Sequence, residues 1–202
     1  TLHNVTVGDD CRISNVRSYI ANYDIGACTH IGNVDKIYVE GETSFGNGVE
    51  VSVLNETGGR EVTIHTALTA HEAYLEAMYR HRPRLVAALK RFAREKAAAA
   101  RSARGTIGCG VTVVDTGLVR NVFIGDGAVV DGAARLSNGS LVSRRDSPVV
   151  IGRGVSADDF IVQDGSRVED GTRLTRCYVG QSCALGHGYS ASDSLFFCNC
   201  QE

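Results

Sequence analysis

Apolar residues return along this chain on a six-residue beat. Val7, Ile13, Tyr19, Ile25, Ile31 and Ile37 follow one another at that step without a slip. Glycine stands directly after the anchor at Gly8, Gly26, Gly32, Gly46, Gly108, Gly125, Gly152, Gly180 and Gly186, and an acid takes the same place at Asp131 and Glu169. Four positions after an anchor the residue is small, as at Cys11, Thr29, Ala128, Ser140, Ser166, Thr172 and Cys183. Internal repetition of this kind decides a fold before any single motif does. It predicts short parallel strands wound into a triangular coil of about 18 residues, with coils stacked ~4.8 Å apart through ladder hydrogen bonds. Each anchor then points into the prism, small residues fill the narrow corners, and glycine relieves the backbone where the chain turns. Asn15 and Asn33 are placed to stack as corner amides.

An aliphatic residue, then Gly or acid, then a small residue at the fifth place resembles the hexapeptide repeat of single-stranded left-handed parallel β-helices. The expected class is therefore mainly β, a left-handed parallel β-helix carrying an inserted α-helical hairpin. The beat slips to five residues between Val113 and Leu118 and again between Leu174 and Val179. The phrase His3-Asn4-Val5-Thr6-Val7-Gly8 returns at Arg120–Gly125 and Arg176–Gly180, and is similar to rungs in the helical tails of sugar-nucleotide pyrophosphorylases. Ser143–Val149 reads as a loop leaving one corner.

The beat stops between Val53 and Gly105. Thr69-x-x-Glu72 is a capping box, and Tyr74, Leu75, Met78 and Tyr79 supply an apolar face for a short helix. Pro83 suits the first turn of a second helix, whose stripe is Leu85, Val86, Leu89, Phe92 and Ala93, with Gly105 as its expected C-cap. The organisation expected is 1–58 for the first coils, 59–105 for the hairpin and 106–202 for the continued β-helix. Residues 60–104 hold ten Lys/Arg and four Asp/Glu, a net +6 in a chain whose formal total is −2, which leaves −8 on the prism. The basic module is expected to be a solvated face or a site for phosphate or an acidic partner, built around Arg80, His81, Arg82 and Arg84. A slightly acidic whole without aromatic interleaving argues against nucleic acid.

Composition narrows the classes further. The 23 Gly, without a collagen period, ask for a regular structure that turns often. No apolar run is long enough to span a membrane. The seven scattered Cys point to reduced thiols and a cytoplasmic protein.

Leu2–Gly8 with Tyr19–Gly26, Ser44–Glu61, Tyr79–Pro83 and Leu185–Glu202 together resemble an uncharacterised family of large left-handed β-helix proteins of Bacteroidetes and related bacteria, within the trimeric acyltransferase-like superfamily. The resemblance implies the fold, a homotrimer and an excerpt of a longer chain; it supplies no reaction. Leu195–Cys200 reads as another rung, so both ends are expected to abut further protein. Hexapeptide β-helices are most often acyltransferases, which implies a histidine general base in a groove between prisms and acyl-CoA, or a nucleotide-sugar, as small-molecule ligand. On the residues, His187 between Gly186 and Gly188 is the candidate base, with Ser190, Ser192 and Asp193 close behind. The second candidate, where the coil gives way to the insert, is Asn55, Glu56 and Arg60 beside Gly58-Gly59. His30 reads as structural. His65 and His71 lack the spacing of a helical metal pair, Cys198-x-Cys200 reads as small buried hydrophobes, and no metal is expected. The alternative function is a non-catalytic binding or oligomerisation scaffold.

Overall fold

The computed structural model describes residues 1–54 and 58–202. It is a parallel β-helix with an inserted helical hairpin. Strand Leu2–Val7 lies on Tyr19–Ile25, with Leu2 opposite Ile20 and Val5 opposite Tyr23. The middle residues, Asn4 and Asn22, drop out of the pairing and have φ of 52° and 59°. A residue in the left-handed region bends each long strand there, so one seven-residue strand makes two faces of the prism. His30–Gly32 and the strands stacked on it make the third.

Left-handed residues mark the corners coil after coil, at Asp10, Asn15, Asn22, Cys28 and Asn33, and again at Gly110, Asp115, Asn121, Gly127, Gly132 and Asn138. Asn and Asp are favoured there because a short polar side chain tolerates this conformation and bonds locally. The expected amide ladder is present: Asn15 Nδ2 donates to Asn33 Oδ1 at 3.0 Å, and Asn33 Nδ2 to Asp115 Oδ1 at 2.6 Å. A second ladder starts with Asn4 Nδ2 to Asn22 Oδ1 at 2.9 Å.

The inward columns form one core. Ile20, Ile37, Val119 and Leu136 stack on the first face, Ile107, Ile124 and Leu141 on the second, and Ile31, Val113, Val130 and Ile151 on the third, each no more than 1% exposed. Burial of such side chains is worth about 1.5–3 kcal/mol each. Tyr19 departs from the expected beat: it faces outward, and Ile20 is the anchor. Val7, expected to be buried, is 43% exposed, and Ile13 is half-buried, because among the described residues only the second coil stacks on the first.

Register locates the insert. Corner partners in neighbouring coils are 17 or 18 residues apart, but Asn33 and Asp115 are 82 apart. Lys36–Tyr38 pairs with the first half of Leu118–Ile124, and Gly105–Ile107 with its second half. The chain therefore leaves the coil stack after Val39, well before residue 58, and re-enters at Gly105. Gly105 opens a strand; the cap of the second helix is Ala100.

The excursion lies along the second face of the prism. It contains a two-stranded piece, Glu50–Val51 with Val62–Thr63, and two helices, α1 (Ala70–Met78) and α2 (Pro83–Ala99). Val51, Val62, Ile64, Leu68, Ala73 and Ala77 cover Ile161 and Tyr178, which point outward from the coil. Tyr178 donates its buried hydroxyl to Leu68 O at 2.8 Å, and Gln163 Nε2 donates to Thr66 O at 2.7 Å. Thr69 caps α1 by accepting from Glu72 N at 3.2 Å, and Pro83 is the first residue of α2. The expected apolar stripes are only partly seated: Tyr74, Met78, Leu85 and Phe92 are 37–56% exposed, Leu75, Tyr79, Val86 and Leu89 are half-buried, and the buried residues of α2 are Ala93, from the expected stripe, and Ala97. Small residues face inward because α2 crosses close to the backbone; a Cβ on Gly48 would lie 3.0 Å from Ala97 Cβ.

Candidate functional site

The residues expected to form a catalytic group are spread over the prism. His187 is exposed, beside the corner at Gly188 (φ 69°). Ser190 and Ser192 lie on the following strand, opposite Arg173 and Thr175, and are exposed. Asp193 belongs to the next corner, with φ 49°. It accepts from Arg176 Nε at 2.8 Å and from Ser52 N at 3.3 Å, so it ties the insert to the coil. The Arg176 guanidinium holds the Asp193 carboxyl below its ordinary range. His187 and Asp193 are thus sequence neighbours on different edges. Asn55 and Glu56 lie outside the described residues, and Arg60 is half-buried next to Gly58-Gly59.

Under the hairpin is a buried polar cluster. His65 is fully buried; its Nδ1 accepts from Ala67 N at 3.3 Å, which directs the Nε2 proton at Glu72 Oε1, 3.2 Å away. Glu76, 3% exposed, accepts from Thr63 N and Oγ1, both at 3.4 Å. Burial pushes the Glu76 carboxyl above its ordinary range, against the opposing pull of Thr63 and Lys90. A folded value raised above the unfolded one contributes stability that is full below the ordinary carboxylate range and is lost as pH rises through the folded value. Glu76→Gln is therefore expected to raise the melting temperature at pH 7 and leave it little changed at pH 4, which thermal unfolding at the two pH values checks. Among the described residues no three His, Cys, Asp or Glu are grouped to hold a metal ion. Cys198, expected to be buried, is exposed at the turn after the last strand, whereas Cys177 and Cys183 are buried.

Two open hollows also gather side chains, and the sequence pattern does not mark them equally. The first is the turn between α1 and α2, where Tyr79, His81, Arg82, Pro83, Arg84 and Leu85 surround an open hollow of about 560 Å³. Arg80 and His81 are both exposed there, and His81 stacks on Tyr79 at 5.3 Å between ring centroids. Arg80 is not part of the lining. The second is a groove of about 460 Å³ where both ends of the insert meet the coil, bounded by Phe45, Asn47, Ser102, Arg104, Phe123 and Ser140 among others. Arg104 anchors that end. Its guanidinium bonds both Asp24 oxygens, Asn4 and Thr6, and holds the Asp24 carboxyl below its ordinary range. No sequence signal points to Arg104, whose partners are 80 to 100 residues away.

No described helix is long and apolar enough to cross a membrane. Over residues 1–202 the chain matches the family model described as a domain of unknown function, DUF4954, and it belongs to that family. It is 29% identical over 179 residues to an uncharacterized protein of Treponema pallidum (strain Nichols), a match covering 83% of this chain and 25% of that protein. The chain thus spans about a quarter of that relative's length. No solved structure matches it.

Proposed function

We propose that the chain is a binding scaffold: a stiff prism that carries a basic hairpin on one face and offers its turn to an acidic protein segment. The hollow at Tyr79–Leu85 supports this reading. Among the described residues neither Arg82 nor Arg84 forms an ion pair, and both stand beside an aromatic ring and an exposed leucine. Cationic groups steer an acidic partner, and the apolar rim supplies area that excludes water. Arginine and tyrosine are the residue types on which such interfaces concentrate their energy. The −8 carried by the rest of the chain repels a long polyanion such as duplex DNA, yet leaves the tip open to a short acidic segment. A glutamate-rich helical peptide is expected to bind in a salt-dependent way. Arg82→Glu/Arg84→Glu should weaken it by about 10-fold or more, chiefly through the association rate. Duplex DNA binding more tightly than the peptide, or a double variant that binds unchanged, would overturn the reading.

One observation favours a second reading: His187 is exposed between two glycines, where a substrate could approach. It would then serve as general base in a hexapeptide-repeat transferase of acyl type, or in the helical domain of a sugar-nucleotide enzyme. Ser190 and Ser192, on the strand that follows it, would supply contacts to acyl-CoA or a nucleotide-sugar, whereas Asp193, held by Arg176 at another edge, would stand outside that site. The enzyme would be a cytoplasmic homotrimer packed through the two faces that the insert leaves uncovered. A thermal shift with acetyl-CoA that His187→Ala abolishes would favour this second reading over the first.

A further inference from the structure

The groove at the root of the insert does not depend on the hairpin's turn. Its floor is the outward column Thr106, Phe123 and Ser140 of the covered face, residues opposite one another on successive coils. One wall is Phe45, Asn47 and Thr66, and the other is Ala100, Ser102 and Arg104. Both walls are pinned. Thr43 and Ser102 exchange backbone hydrogen bonds at 3.0 Å, Ser140 Oγ donates to Phe45 O at 2.7 Å, and Thr66 N donates to Asn47 Oδ1 at 2.9 Å. Phe45 is held at φ 52°, a left-handed conformation that a bulky side chain disfavours. Neither wall can close over the space without breaking these bonds, so the gap persists as a shaped site rather than a packing fault.

The chemistry of the lining selects the occupant. Every N–H of Arg104 is engaged: Nε with Asp24, one terminal nitrogen with the carbonyl and side chain of Asn4, the other with Thr6, Tyr23 and Asp24. Its charge is matched by Asp24, and no donor is left for a phosphate or carboxylate. The flat face of a guanidinium whose edges are all engaged remains able to stack. Of the two phenylalanines at the groove, Phe45 is 5% exposed and packs into the core, so the half-buried Phe123 ring offers the aromatic face. The remaining polar capacity is hydroxylic. Ser102 Oγ accepts from Arg104 N at 2.9 Å and keeps its proton to donate, and Thr66 and Thr106 add two more hydroxyls.

We propose that this groove binds an uncharged, flat ring system of nucleoside size, stacked on an aromatic or guanidinium face and oriented by the hydroxyls. Adenosine is the probe, with ribose and AMP as comparators, measured by ligand-observed NMR and calorimetry on the whole chain. Adenosine is expected to bind saturably, ribose not at all, and AMP at least 5-fold more weakly than adenosine. Ala100→Trp fills the groove from one wall and Thr106→Trp from its floor, both at incompletely buried positions. Each should weaken adenosine by 10-fold or more with an unchanged melting temperature; if one fails to fold, the other decides. Arg82→Glu/Arg84→Glu should leave adenosine binding intact, which separates this site from the hairpin reading. Absence of saturable adenosine binding, AMP binding as tightly as adenosine, or wild-type affinity in a folded Trp variant would overturn the proposal.

Discussion

Gly105→Ala is expected to destabilise the protein by about 3 kcal/mol, near the upper end of what overpacking a core costs. It should appear as a lower urea midpoint at unchanged slope. Tyr23, Gly105 and Val122 occupy one inward column on successive coils. Tyr23 is fully buried, and its ring passes over Gly105 to reach the next coil. There its hydroxyl donates to Val122 O at 2.7 Å and accepts from Val122 N at 3.2 Å. A Cβ at position 105 would lie 2.5 Å from Tyr23 Cζ, with the neighbouring ring atom closer still. The ring cannot retreat without surrendering both bonds inside the core, where an unpaired backbone group costs about 1–3 kcal/mol. Gly139 faces Phe160 in the same way, its Cβ position 2.5 Å from Phe160 Cζ. Phenylalanine has no hydroxyl to hold it, so Gly139→Ala should cost less than Gly105→Ala. Equal costs at the two sites would show that the Tyr23 hydroxyl does not fix the ring.

The coil stack is readable in the sequence because its physics is local. Inward anchors, the glycines that follow them and the corner amides each sit within a hexapeptide, and Asn15 and Asn33 lie at the spacing of one coil. A strict six-residue beat fails where the sides of a coil differ in length: Ile13 to Ile20 is seven residues and Ile20 to Ile25 is five, so Ile20 rather than Tyr19 carries the first face. The start of the insert is hidden because Phe45-Gly46 imitates an anchor with its glycine. Gly46 in fact has φ 79° and packs against the backbone of Asn138 and Phe160, residues far along the chain. The candidate site was legible only in part. In this fold, side chains meet at spacings of one coil, as Arg176 and Asp193 do at 17 residues. Residues six apart, such as His187 and Asp193, are sent to different edges. The basic character of Arg80–Arg84 is a composition signal and survives folding. The groove at Arg104 is made by residues whose proximity only the return of the insert creates.

The register fixes the length of the insert. The step of 82 residues across it exceeds the ordinary 17 by 65, the length of segment 40–104. Joining Val39 to Gly105 would restore a strand that runs 36–39 and 105–107, equal in length to Leu118–Ile124 and in register with it. Position 39 would then take the corner place held by Asn22 and Asn121 in the adjoining coils, where φ is positive. Valine is poorly suited to that conformation, so the deletion is best combined with Val39→Asn, which would also extend the amide ladder. Removing the excursion relieves a loop-closure entropy of about 4 kcal/mol. It also strips the cover from Ile161 and Tyr178 and loses the Arg104 clamp on the first coil. With Ile161→Thr and Tyr178→Thr to keep the bared face polar, the shortened chain is expected to fold cooperatively. Its circular dichroism should retain the β signal and lose the helical one, and its affinity for an acidic peptide should vanish. A shortened chain that is unfolded would mean that the prism depends on the insert for its stability. One that folds and still binds the peptide would remove the hairpin from the site.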